Sequence, residues 1–184
     1  MGVLILSQAS RSNLKTVSFG ALFLASSVII SIVESISGIN ALIPVPGVKL
    51  GLCNVAITAC LYICGKKAAF AAALLRPLFL FLFSSNPVSL TMSFCGGMLS
   101  YFAVAASFKL YGKVFSFCGI SCISAVCHAV GQTLAAMLLM GDSALLMYLP
   151  VFAALSSVMG TVCGAVMNIV IPRLKNAMIR AGGV

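Results

Sequence analysis

Ile43-Pro44-Val45-Pro46-Gly47-Val48-Lys49-Leu50-Gly51-Leu52-Cys53-Asn54 interrupts a chain that is otherwise apolar enough to live in lipid. Pro44 and Pro46 lack the N–H that a helix interior needs. Gly47 and Gly51 allow a turn or a close backbone approach. Lys49 then opens the next apolar run, where a cation is expensive unless it snorkels or finds a partner. A kinked, charged entrance to a membrane helix is the first pointer to a functional site.

Outward from that stretch, the 184 residues are 62% hydrophobic and 7% charged, with a mean hydropathy of +1.21. That leaves too little polar surface for a soluble domain. Only helices and closed barrels satisfy every backbone polar group inside a bilayer. The apolar runs here are continuous rather than alternating, so the fold class is all-α, a polytopic integral membrane protein. Glu34 and Asp142 are the only acids against eleven Lys and Arg, a net charge of +9. The bases lie between apolar runs without interleaved aromatics, which reads as topology and excludes nucleic acid as a partner. At the N-terminus the charges Arg11 and Lys15 follow the first apolar piece, the reverse of a secretory signal, so the first helix is expected to be retained.

Six spans are expected in a single transmembrane domain over residues 1–184: about Thr16–Ile39, Leu50–Gly65, Ala68–Phe83, Val88–Phe108, Val114–Met140 and Leu145–Ile171. The second and third are short for a hydrocarbon core of ~30 Å, so a re-entrant hairpin is the alternative to two crossings. With six crossings, Arg11, Lys15, Lys66, Lys67, Lys109, Lys113, Arg173, Lys175 and Arg180 fall at one set of ends. Lys49 and Asp142 fall at the other. The positive-inside rule then puts both termini in the cytoplasm. Small-residue ladders, Ser156/Gly160/Gly164 on the sixth span and Ala21/Ala25 on the first, suit close helix packing, as does Gly96-Gly97 on the fourth.

The ionisable and amide groups within the spans are the candidate site. Glu34 lies near the outer end of the first span and Lys49 at the outer mouth of the second. Asn54 is about 7–8 Å deeper on a regular helix. His128 and Gln132 share one face of the fifth span, four residues apart. Arg76, mid-way along the third, is expected somewhat below this band. Such groups are functional candidates because an unpaired one costs several kcal/mol in lipid. The plainer reading is a structural network in which Glu34 pairs with Arg76 or Lys49, and His128 with Gln132. The sharper one is a pocket open to the outer face, its cationic surplus suited to a carboxylate, a phosphate or electron-rich carbonyls. The eight cysteines all fall within spans, with no metal-ligand spacing, and read as small buried filler. No metal site, disulfide or bound cofactor is expected.

Pro44-Val45-Pro46-Gly47-Val48-Lys49-Leu50-Gly51-Leu52-Cys53-Asn54, Leu74-Leu75-Arg76, Gly96-Gly97 and His128-Ala129-Val130-Gly131-Gln132 together resemble the membrane proteins known as the Gx transporter family or "heptaprenyl diphosphate synthase component I". The likeness runs from about Gly38 to Leu174. Cys53 stands where Ala, and Ala129 where Asn, is the usual residue. The synthase part of the name fits poorly, because prenyl diphosphate chemistry needs aspartate-rich magnesium motifs and this chain has one Asp. The family is similar to the S components of energy-coupling factor transporters. Those are six-helix proteins with a ligand site near the outer face, and they dock to a transmembrane coupling protein through small residues on the first helix.

The resemblance implies a substrate-binding subunit in the cytoplasmic membrane of a prokaryote, taking up a vitamin- or cofactor-related solute. Glu34, Pro46, Gly47, Lys49, Asn54, Arg76, His128 and Gln132 would form the substrate site, and Ala21 and Ala25 the docking face. A coupling protein and an ATPase pair would supply ATP hydrolysis, since no Gly-x-x-x-x-Gly-Lys-Ser/Thr motif is present. The alternative is a non-transporting membrane subunit handling quinone, flavin or isoprenoid for a redox system. An intramembrane enzyme using His128 and Glu34 as base and acid lacks a nucleophile motif, so no enzymatic activity is expected.

Overall fold

The computed structural model describes the backbone of residues 2–36, 51–112 and 115–180, and side chains within 14–36, 51–112 and 115–176. Pro46, Gly47 and Lys49 therefore lie outside the described residues, as does Lys113. The helices are α1 (Gly2–Ile36), α2 (Asn54–Cys64), α3 (Lys66–Ser84), α4 (Pro87–Ser107), α5 (Phe117–Met140) and α6 (Leu149–Arg180), with 3-10 segments Phe108–Leu110 before α5 and Ser143–Tyr148 before α6. The all-helical membrane bundle expected from composition is what forms. Leu14–Ile36, Lys66–Ser84, Pro87–Leu110, Phe117–Met140 and Ser143–Asn176 are each long and apolar enough to cross a bilayer.

Helix boundaries depart from expectation in several places, with α5 starting at Phe117 rather than Val114 and α6 at Leu149 rather than Leu145. α1 begins at Gly2 rather than near Thr16, and α6 continues through Pro172 to Arg180. α2 begins at Asn54, not Leu50, and has 11 residues, so it rises only ~16 Å, about half of a hydrocarbon core. The cause is a turn at Gly51, with φ +83°. Its carbonyl accepts the Asn54 N–H at 3.0 Å, and the Leu52 carbonyl accepts from Val55 at 3.2 Å. Leu50-Gly51-Leu52-Cys53 is apolar throughout, and hydropathy does not register a turn made of apolar residues.

The remaining joints follow local chemistry. Gly65, at φ +87°, is the whole link between α2 and α3. Between α3 and α4, Ser85 is left-handed and the Asn86 side chain accepts from the Val88 and Ser89 N–H groups. Pro87 occupies the first helical turn, where its missing N–H costs nothing.

Close approach holds the α4–α5–α6 layer. A Cβ on Gly131 would lie 2.8 Å from Gly96 Cα, and one on Gly164 would run into Cys118 Cα. Gly160 meets the Ser121 carbonyl in the same way, at 2.7 Å. Buried hydrogen bonds cross the same interfaces: Ser100 Oγ to Ser124 Oγ at 2.8 Å, and Ser121 Oγ to Met167 Sδ at 3.4 Å.

At one end of the bundle the rings of Tyr62, Phe108, Tyr111 and Phe117 stack at centroid separations of 4.7–6.2 Å. That cluster stands beside the Gly65 turn and Lys66, and Lys109 follows Phe108 directly. Thr16 and Val17 of α1 face Lys67 across a groove. Lys15, Lys66, Lys67 and Lys109 thus gather at the same end.

Gly164→Ala is predicted to destabilise the protein by about 1–3 kcal/mol through overpacking. Ala165→Val, on the exposed face of α6, should stay within about 0.5 kcal/mol of wild type. Thermal unfolding in detergent reads both.

Candidate functional site

The Gly51 turn puts the start of α2 against three other helices. Its N–H donates to Glu34 Oε1 of α1 at 3.1 Å. A Cβ on Gly51 would stand 3.0 Å from Asn54 Nδ2 and 3.2 Å from His128 Cδ2 of α5. With a positive φ as well, this position admits glycine and little else.

From the other side, Arg76 of α3 reaches in. Its Nη1 donates to Asn54 Oδ1 at 2.9 Å and to Cys53 Sγ at 3.0 Å. Arg76 directly precedes Pro77, whose ring withdraws the helix hydrogen bond to the Ala73 carbonyl. Gly97 of α4 makes room for the guanidinium, since a Cβ there would touch Arg76 Nη2 at 3.4 Å.

On α5, Gln132 Nε2 and His128 Nε2 are 2.9 Å apart. Gly96 lies over this pair: a Cβ there would be 2.8 Å from Gln132 Cγ and 3.0 Å from His128 Nδ1.

Five of the expected site residues, Glu34, Asn54, Arg76, His128 and Gln132, are therefore brought into one buried cluster. The Arg76 guanidinium reaches the level of the Asn54 side chain, to which it donates at 2.9 Å. Among the described residues Glu34 does not pair with Arg76. Arg76 is 1% exposed and its partners are an amide oxygen and a thiol, with no carboxylate. Its Nε has no hydrogen-bond partner. A guanidinium in that setting retains most of its desolvation penalty.

Asn54 borders a cavity of about 10 Å³ between α2, α5 and α6. Sequence reading took Cys53 as filler and passed over Thr58, Ser121 and Ser124, all buried. The signal was in the spacing. Thr58 is one helical turn beyond Asn54, and Ser121, Ser124, His128 and Gln132 fall on one face of α5. The eight cysteines are free thiols. No group of three or more His, Cys, Asp or Glu able to hold a metal occurs among the described residues.

A second concavity, about 470 Å³, lies between α1 and α3 and is lined by Thr16, Val17, Gly20, Ala21, Leu24, Lys67, Ala68, Ala71, Ala72 and Leu75. Ala21 and Ala25 are both exposed, and Ala21 lines the groove.

Fold and cluster define a polytopic helical membrane protein with a buried polar centre whose side chains come from four of its helices. Residues 23–170 match the family model described as heptaprenyl diphosphate synthase component I. The chain belongs to that family. No curated protein and no solved structure matches it significantly. The single aspartate of the chain, Asp142, accepts from the Ala144 N–H in the link before α6.

Gly51→Ala should destabilise the fold by at least about 1–2 kcal/mol, through its positive φ and the contacts with Asn54 and His128. Arg76→Met should not destabilise the ligand-free protein by more than about 1 kcal/mol, because it removes a buried charge whose hydrogen bonds among the described residues go to an amide oxygen and a thiol rather than a carboxylate. Paired thermal melts of wild type and the two variants check both.

Proposed function

We propose that this protein is the substrate-binding membrane subunit of an uptake system for a small anionic or carbonyl-rich solute, vitamin- or cofactor-related. The observation that carries the reading is Arg76. It is a guanidinium 1% exposed, held in place by Asn54 and Cys53, and without a carboxylate among the described residues. In an apolar bundle such a charge is best compensated by an anionic group that binds beside it. Arg76 and Lys49 would bind that group, while Asn54, His128 and Gln132 orient the ligand. Glu34 holds the Gly51 turn, and Pro46 and Gly47 shape the rim.

The protein would sit in the cytoplasmic membrane of a prokaryote with both termini inside, in keeping with the basic residues gathered at one end. It binds no cofactor of its own in this reading. ATP is hydrolysed by a separate ATPase pair, reached through a transmembrane coupling protein. Ala21 and Ala25 form the docking face, and the α1–α3 groove beside Ala21 offers a place for a partner helix. A catalytic part is not included. Heptaprenyl diphosphate in the family's description is itself an anion on an apolar tail, but Asp142 is committed to capping and supplies no aspartate-rich magnesium site.

Native mass spectrometry of the gently purified protein tests the reading. Wild type should retain a small molecule, and Arg76→Met or Lys49→Ala should lose it. A spectrum carrying lipid only would favour the non-transporting subunit that handles quinone, flavin or isoprenoid. Retention undiminished by either substitution would contradict the proposed site. Ala21→Leu should keep the solute but abolish co-purification of an ATPase pair.

A further inference from the structure

The groove between α1 and α3 encloses about 470 Å³, within the ~300–1,000 Å³ typical of small-molecule sites. The two helices touch along it, where a Cβ on Gly20 would stand 3.6 Å from Ala68 Cβ. Its walls are apolar apart from Thr16 and Lys67. Ala21, Ala71 and Leu75 are exposed on them, so the groove opens on the outside of the bundle. Both walls belong to helices long and apolar enough to cross a bilayer. The groove therefore faces lipid.

Depth and charge select the occupant. The lining runs from Thr16 to Leu24 on α1 and from Lys67 to Leu75 on α3, ~12 Å of each helix. That is less than half of a ~30 Å hydrocarbon core, so the groove stays within one leaflet. A membrane-crossing helix cannot lie in it along its whole length, whereas an acyl chain of that leaflet can. An acyl chain also asks for no hydrogen bonds, and these walls supply few.

The charge lies at one end. Lys67 lines the groove, Lys66 precedes it, and Lys15 precedes Thr16; all three lysines are exposed. The only acidic side chains of the chain are Glu34 and Asp142. Glu34 accepts from the Gly51 turn, and Asp142 stands in the link before α6. α3 has no acid in its first turn and no side-chain cap, so its two lysines add to the positive end of the helix dipole, where an anion is favoured. Basic pockets between membrane helices on the cytoplasmic side take anionic lipid headgroups. By the positive-inside rule this end is the cytoplasmic one.

We propose that the α1–α3 groove binds one anionic phospholipid of the cytoplasmic leaflet, with an acyl chain lying between Ala21 and Ala71 and the phosphate held by Lys67. Lys66 and Lys15 strengthen the positive field at the headgroup. The lipid site does not depend on the solute-binding reading. One consequence does rest on the proposed function: because Ala21 lines the groove, a partner helix that docks there must displace the lipid.

Native mass spectrometry of the delipidated full chain, given equimolar phosphatidylglycerol and phosphatidylcholine with identical acyl chains, tests the site. Wild type should retain one phosphatidylglycerol in preference to phosphatidylcholine. Lys67→Gln should weaken that preference about fivefold, the effect of one lysine at an anionic headgroup. Ala71→Phe, at an exposed position, should leave the melting temperature in place and lose retention of either lipid; if it does not fold, Lys67→Gln carries the test. No retained lipid, or equal retention of the two, overturns the proposal. Unchanged retention in Ala71→Phe also overturns it, since the lipid would then sit elsewhere. Displacement of the lipid by glycerol phosphate would make this a site for free phosphate and overturns it too. Arg76→Met should retain phosphatidylglycerol as wild type does, so a failure of the solute-binding reading leaves this result unchanged.

Discussion

A guanidinium buried in an apolar helical bundle is the constraint to which the rest of this structure answers. Arg76 cannot snorkel, because it lies mid-way along α3 and is 1% exposed. Its hydrogen bonds go to Asn54 and Cys53, both supplied by the start of α2. For those groups to arrive there, α2 has to begin deep in the bundle rather than at its surface. The Gly51 turn achieves that, and Glu34 secures the turn from α1 by accepting its N–H. A shortened helix and a buried carboxylate thus belong to the same local solution.

Glycine is what lets the helices close around this centre. Gly51, Gly96 and Gly97 each present bare backbone to a polar side chain of the cluster. Gly131, Gly160 and Gly164 bring α5 within backbone contact of its neighbours. In lipid, where apolar burial gives no advantage to helix association, such close packing and the few buried hydrogen bonds carry the stability. The same residues therefore hold the bundle and shape the site, and substitutions that crowd the glycines will perturb both.

The helical membrane class was legible from composition, and the His128–Gln132 pair from a four-residue spacing. Arg76 was legible as a group needing compensation, but its level was not. Depth was counted along a helix that starts at Leu50, while the chain turns at Gly51 through residues as apolar as those of the helix that follows. Hydropathy cannot see a hydrogen-bonded turn. Cys53 was read as filler because a thiol is normally small apolar packing, and its contact with Arg76 depends on the α2–α3 approach. Thr58, Ser121 and Ser124 were visible as positions on the right faces, but a hydroxyl in a membrane helix usually bonds its own backbone, as Thr58, Thr91 and Thr161 do here. Lys49, Pro46 and Gly47 lie outside the described residues, so their part in the site rests on the sequence.

The central claim is that the charge on Arg76 is there for a ligand. Thermal denaturation of wild type and Arg76→Met, purified free of solute and then given the small-molecule fraction of a cell extract, tests it most directly. A ligand that binds only the folded state raises the melting temperature by mass action. The account predicts an upward shift in wild type and none in Arg76→Met. An equal shift in both proteins, or none in either, would contradict it.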